Sequence, residues 1–385
     1  MRWARGPAAL KRKSTMAQIL LDFAAARTEP QIGFDLGWDH ARHGLPPPAA
    51  HCQYGNALLR GWRAGHACFG ARTRTAPRRV RLWLALRLHA WLRGRAFELA
   101  DVTPHYLGQI EVLHCPITRV PLLPTEQSVD RVCDAAAYAA GNLAMLSAQV
   151  NRAKGGLRWD QALQRARQAE AGGGSVDGLD AAAWRRLATL ISFVTPLPHA
   201  QAAAVPLHVL PPNRLRLLNP VQGLQALITR ELARPDGTRR LRALAALLPG
   251  ETSRVAFHRL LSALLPRRLE AGQDADALQL RHALEDAWAG ECVNRSWQRF
   301  ALALDEAAVE RLLQRCAAGA LTATRVLLHE PDSATEGWAL QSGGWAGAGA
   351  AAPRKVIAAA VPAGRGAAAR MAGERTRTAD GHLPA

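Results

Sequence analysis

Residues 114–155 read HCPITRVPLLPTEQSVDRVCDAAAYAAGNLAMLSAQVNRAKG, and this stretch decides the architecture. Within it, Ser128-Val129-Asp130-Arg131-Val132 alternates in polarity, and the β-branched Val129 and Val132 suit a pleated surface. Gly141-Asn142 supplies turn chemistry. The residues after it run towards a helix that ends in Lys154, before Gly155-Gly156. The expectation is a β-hairpin followed by a helix over residues 108–156, embedded in an otherwise mainly α protein. Arg152 and Lys154 at the helix end complement its dipole and are placed to meet a phosphate. A strand carrying Asp130 against a helix carrying Asn151 brings two oxygen ligands together, a site for Mg²⁺ or a similar divalent ion. Each residue also has a plain structural use. Asp130 and Arg131 can pair or bind backbone, and Cys115 can be a small buried hydrophobe. Asn142 and Asn151 can serve as turn or cap residues.

The order and spacing of these residues resemble the HNH endonuclease superfamily, the ββα-metal nucleases. The likeness is to a phage and bacterial branch with a CxxTG-type knuckle, an S-[IV]-D-R-[IV] strand, a GY-x-x-x-N turn and a final N-x-x-K. It rests on Cys115, Pro116, Thr118, Ser128 to Val132, Tyr138, Asn142, Leu143, Asn151, Arg152 and Lys154. Val102 to Leu107 resembles the short helix that precedes the knuckle. The resemblance covers about one seventh of the chain. It implies that Asp130 and Asn151 hold the metal while Asn142 orients the loop. It also implies a nucleic-acid-binding protein, a divalent-metal-dependent DNA endonuclease in its active form. The departures count as much. The general base that usually follows the strand Asp is replaced by Arg131, which stays protonated and can only bind phosphate or stabilise charge. His114, beside the knuckle, is the first candidate to stand in as base, with His105 second. A lone thiolate, Cys115, leaves no structural zinc to expect, so Ile117, Leu122, Leu143 and Leu146 must hold the knuckle by packing. The alternative is a catalytically inactive relative that serves as a DNA-binding or protein-interaction module. A helical scaffold without nucleic acid is a third option.

Outside this element the pattern is helical. Residues 1–15 read as a start-site extension before Met16, and residues 16–107 as an N-terminal mixed, helical region. There, DLGWDHARHGLPPPA (residues 35–49) reads as a loop. A helix over Pro77–Arg95 sets Leu and Trp on one side and arginines, among them Arg78, Arg79 and Arg81, along the other, suited to lie along phosphates. A charged helix over Trp159–Glu170 precedes a flexible AGGGS break. Residues 177–330 form a helical domain, with Asp180 capping one helix and a short hairpin or extended link at Leu207–Leu217. Residues 331–385 are rich in Ala and Gly, hold no sustained apolar face and read as a disordered tail.

The whole chain agrees with these parts. Its 385 residues are 49% hydrophobic, enough for a packed core. Lys plus Arg number 49 against 31 Asp plus Glu, a net charge of +18. An anionic partner offsets such a surplus, DNA first and an acidic membrane surface second, although biased codon usage also enriches Ala and Arg. No segment is apolar and long enough to span a bilayer, so no membrane partner is expected. Six scattered cysteines without a CxxC pair point to a reducing compartment, hence a cytoplasmic protein.

Overall fold

The computed structural model describes residues 28–53, 55–272, 274–319, 322, 324–329, 333–344 and 356–360. The start-site expectation for residues 1–15 and Met16 lies outside these, as do residues 331–332, 345–355 and 361–385 of the expected tail. Helices α1 (Glu29–Arg42), α2 (Ala57–Phe69) and α3 (Arg78–Leu92) come first, then the short α4 (Pro104–Ile110). Strands β1 (Gln127–Arg131) and β2 (Leu143–Ser147) pair antiparallel and lead directly into α5 (Ala148–Lys154). Helix α6 (Trp159–Ala171) and the two-residue strands β3 (Ser175–Val176) and β4 (Leu179–Asp180) precede α7 (Ala181–Phe193). The body is completed by α8 (His199–Ala204), α9 (Pro220–Leu232), α10 (Gly237–Ala246), α11 (Gly250–Glu270), α12 (Ala277–Ala287), α13 (Glu291–Leu302) and α14 (Glu306–Ala318). Strand β5 (Arg325–His329) pairs antiparallel with β6 (Val356–Ala360). The protein is mainly α, and its described sheets are two-stranded.

The segment read as a loop around Trp38 is helical instead. Gly33 and Gly37 lower helix propensity and hide the pattern, yet Gly33 makes room for the Trp91 ring of α3 and Gly37 lets α1 pack on α2. A Cβ at Gly37 would lie 1.9 Å from the Leu58 carbonyl oxygen, and one at Gly61 would lie 1.9 Å from that of Phe34. Backbone meets backbone at this crossing, so neither helix has a side chain that can yield. Gly61→Ala is expected to destabilise the α1–α2 pair by about 3 kcal/mol, the upper end of ordinary overpacking. Urea unfolding followed by circular dichroism measures this, and an unchanged midpoint would contradict it.

Helix α3 has two buried sides. Val80, Leu84 and Leu88 join Leu36 of α1 and Leu58 of α2 in one apolar cluster. Leu86 and Ala90 join Tyr106, Leu107 and Ile110 of α4, together with Val129, Leu143 and Met145 of the hairpin, in another. Arg87, expected on the wet side, is only 5% exposed. It pairs with Asp39 at 2.5 Å and stacks over Trp83.

The hairpin register sets Val129 opposite Met145 and Asp130 opposite Ala144. Ser147 ends β2 and caps α5, its hydroxyl accepting the Val150 N–H. Cys115, Ile117, Leu122 and Leu146 pack in the main core, whereas Leu143 belongs to the cluster under α3. Arg119 in the knuckle holds a left-handed φ of 63°. Its guanidinium is gripped by Asp286 at 2.7 Å and the buried Glu285 at 3.2 Å, which ties the element to α12.

Asp180 caps α7 as expected, accepting the Ala183 N–H at 2.6 Å. The AGGGS segment is an ordered helix end: the N–H groups of Gly172, Gly173 and Gly174 all bond carbonyls of the last turn of α6. Trp184, Trp288, Trp297, Phe257 and Phe300 fill the core of the body. Residues 333–344 depart from the tail expectation. Trp338 is fully buried, its indole N–H donates to the Ala140 carbonyl at 2.9 Å, and its own carbonyl accepts the Ala137 N–H at 2.7 Å. Composition averaged over an Ala- and Gly-rich window conceals one anchoring aromatic.

Candidate nucleic-acid interface

Asp130 and Asn151 come to one place. Both line a cleft of about 540 Å³ between the ββα element and α3, together with Arg131, Arg152, His89 and Arg93. Val150 and Lys154 are four residues apart, so α5 turns both inward. Lys154 is only 1% exposed and its ammonium lies 3.1 Å from Asp130 Oδ1. That ammonium also donates to the carbonyls of Arg131 at 2.8 Å and Gly155 at 3.3 Å. Burial nevertheless outweighs this partner and pushes the Asp130 carboxyl up to about 6. Asp130 Oδ2 is sealed from solvent and has no hydrogen-bond partner among the described residues.

Arg131 folds back on its own loop. It donates to the carbonyls of Asp134 and Ala136, both at 3.0 Å, pairs with the Asp134 carboxylate and lies over the Tyr138 ring. Asn142 is fully buried. It accepts the Cys133 N–H at 2.8 Å and donates to the carbonyls of Cys133 and Ala137, which fixes the loop between β1 and β2. Its task is to orient that loop, and it does not line the cleft. Asn151 donates to Ser128 Oγ at 2.8 Å, which holds its amide over β1.

Several expected roles do not survive these positions. His114 is half-buried, its backbone bridges Pro121, and it does not line the cleft. The second choice, His105, lies on α4 and lines a different cavity. The imidazole at the cleft is His89, exposed on α3, with Nδ1 2.8 Å from the Tyr138 hydroxyl. Partial desolvation, then the positive charges of Arg93 and Arg131, hold its pKa below the ordinary histidine value. Lys154 is sealed against Asp130 and cannot reach a phosphate. Arg78 and Arg79 both pair with Glu111 at 2.6 Å, and Arg78 also bonds the Pro124 carbonyl and Gln127. Arg81 stays exposed, with one bond to the Ala76 carbonyl. A carboxylate beyond the helix decides which of its arginines are free, and helical periodicity does not report it. His89 and Arg93 were visible on the α3 pattern, but nothing local marks the face that meets the hairpin.

The donor set fits a resident Mg²⁺ poorly. Asp130 and Asn151 supply a carboxylate and an amide, Asp130 Oδ2 has no other partner, and the Asp134 carboxylate that also lines the cleft is taken up by Arg131. Against this, a fixed ammonium already holds Oδ1, and a divalent ion on the same carboxylate would sit beside it at low dielectric. Among the described residues, no group of three or more His, Cys, Asp or Glu side chains is placed to hold a metal. Nor is any helix among them long and apolar enough to cross a membrane. No family model matches the chain, and neither the curated proteins nor the solved structures contain a significant match to it.

Proposed function

We propose that the protein binds nucleic acid, laying a phosphodiester backbone in the cleft between α3 and the ββα element, and that the element binds without cutting. One observation carries this. The exposed cations of the cleft, Arg93 on the α3 wall and Arg152 on the α5 wall, are free of carboxylates among the described residues, whereas Lys154 neutralises Asp130 from within. Arg131 occupies the position of the base in the resembling nucleases, and its guanidinium is already committed to its own loop. The +18 charge supplies the long-range attraction. A cytoplasmic setting suits this function, and the six cysteines are unpaired.

Fluorescence anisotropy with a short DNA duplex tests it. Arg93→Glu combined with Arg152→Glu is expected to weaken binding by about tenfold or more, and to lower the salt slope by about 2, since each lost phosphate contact removes about 0.9. Binding that ignores salt, or ignores both reversals, would return the element to a protein-contact role.

Hydrolysis has one observation in its favour: the imidazole of His89, its pKa lowered by partial desolvation and nearby arginines, stands in the same cleft as Asp130. Were Nδ1–H to donate to the Tyr138 oxygen, Nε2 would keep a free lone pair. Supercoiled plasmid with Mg²⁺ is expected to stay unnicked. Nicking that disappears in both Asp130→Ala and His89→Ala would replace the binding-only function with a nuclease.

A further inference from the structure

A second cavity, of about 520 Å³, shares no residue with the cleft. Helix α4 and the turn before it supply Asp101, Thr103, His105 and Tyr106, the end of the hairpin loop supplies Gly141, and the link before α9 supplies Arg214 and Arg216. His329 of β5 completes one side.

The two arginines are built into place. Gly141 has φ 84°, and a Cβ there would lie 2.3 Å from Arg216 Cγ, so the Arg216 stem lies directly on the glycine. The Arg216 N–H donates to the Gly141 carbonyl at 2.9 Å, and one guanidinium nitrogen donates to the Ala334 carbonyl at 2.6 Å. Its remaining N–H groups have no acceptor among the described residues. Arg214 is half-buried and holds a left-handed φ of 67°, costly for a residue with a Cβ. No carboxylate or carbonyl among the described residues takes up its guanidinium.

Tyr106 adds a directed donor. It is 7% exposed, and its oxygen accepts the Gly141 N–H at 3.0 Å. Its own proton has no acceptor among the described residues. Two guanidinium groups and a phenol hydroxyl therefore border a space whose lining holds one carboxylate, the exposed Asp101 at the rim, while the buried Glu98 lies within electrostatic reach of Arg216 and Tyr106 from behind. Burial, then the charge of Arg216, hold the His329 imidazole below the ordinary histidine value. His105 is occupied by Gln109 at 2.9 Å.

We infer that this cavity is a nucleotide-phosphate site, distinct from the cleft and going beyond the function proposed for it. Arg214, Arg216 and the Tyr106 hydroxyl take the phosphate oxygens, the geometry in which guanidinium groups recognise phosphate best. Asp101 accepts from a sugar hydroxyl or base amino group, which favours a nucleotide over bare phosphate. The same chemistry is offered by a free nucleotide and by the 5′-phosphorylated end of a strand.

Calorimetric titration of the full chain with inorganic phosphate, AMP and a 5′-phosphorylated oligonucleotide tests the site. The informative variant is Arg214→Gly, because glycine is at ease at this φ and the fold loses nothing by it. AMP or the oligonucleotide is expected to bind more tightly than phosphate and to lose about tenfold or more in affinity in Arg214→Gly, while the melting temperature holds or rises. Tyr106→Phe should weaken the same ligand several-fold. Arg214 touches neither wall of the cleft, so oligonucleotide binding that survives Arg214→Gly but falls in the Arg93→Glu, Arg152→Glu protein belongs to the cleft alone and counts against the second site. AMP matching the oligonucleotide identifies a free nucleotide as the ligand, and an oligonucleotide preference identifies a strand end. Absence of heat with all three probes, or affinity unchanged in Arg214→Gly, would overturn the inference.

Discussion

Replacing Lys154 with methionine is expected to destabilise the protein by about 3–5 kcal/mol at pH 7.5, the usual cost of stranding one partner of a buried ion pair. The ammonium is 1% exposed and makes three hydrogen bonds, so its loss leaves Asp130 sealed without the cation that bonds it directly. A second change, Asp130→Leu, is expected to recover most of the loss, because an apolar pair of similar volume carries no desolvation penalty. The pH dependence has a fixed sign. The Asp130 carboxyl titrates near 6 in the fold, above the ordinary unfolded value of about 4, so the fold favours its protonated form. That contribution is fully present below pH 4 and is lost as the pH rises through 6. The Lys154→Met deficit should therefore shrink between pH 7.5 and pH 4.5, as followed by urea unfolding. A deficit independent of pH would mean that the stability of the element does not pass through this pair.

Trp338→Ala is expected to cost about 3–5 kcal/mol, as large aromatic deletions in a core do. It should also loosen a segment far away in sequence. The indole removes its hydrogen bond from the Ala140 carbonyl, and the displaced backbone frees the Ala137 N–H. Both belong to the loop that Asn142 and Arg131 hold between β1 and β2. Hydrogen exchange at Ala137 and Tyr138 should rise, and DNA affinity should fall even though Trp338 does not line the cleft. Normal exchange at Ala137 in this variant would contradict the coupling.

The hairpin-then-helix order was legible in residues 128–154 because alternation and turn chemistry act locally, although Leu143–Ser147, read as running towards the helix, is the second strand. So was the convergence of Asp130 with Asn151, which follows from packing a strand on the next helix. What escaped was every feature set by distant partners. The helix through Gly37 was read as a loop because the close approach of α2 is invisible in α1 alone. Lys154 looked like a surface cation in a last helical turn, and only the depth of Val150 beside it hinted otherwise. Arg78 and Arg79 are spent on Glu111, more than thirty residues away. His89 and Arg93 belong to the site only because α3 turns its second side to the hairpin.

The contact of Trp338 with Ala140 spans 198 residues of sequence. During translation the loop between the two strands leaves the ribosome long before the residue that clamps it exists. Until then the Ala137 amide and the Ala140 carbonyl must be satisfied by water, and the strands are joined by a loop with one side undone. A truncated translation product would carry every residue of the cleft and lack the clamp that sets their spacing. The spacing of the cleft is thus set late in synthesis, after the helical body has emerged.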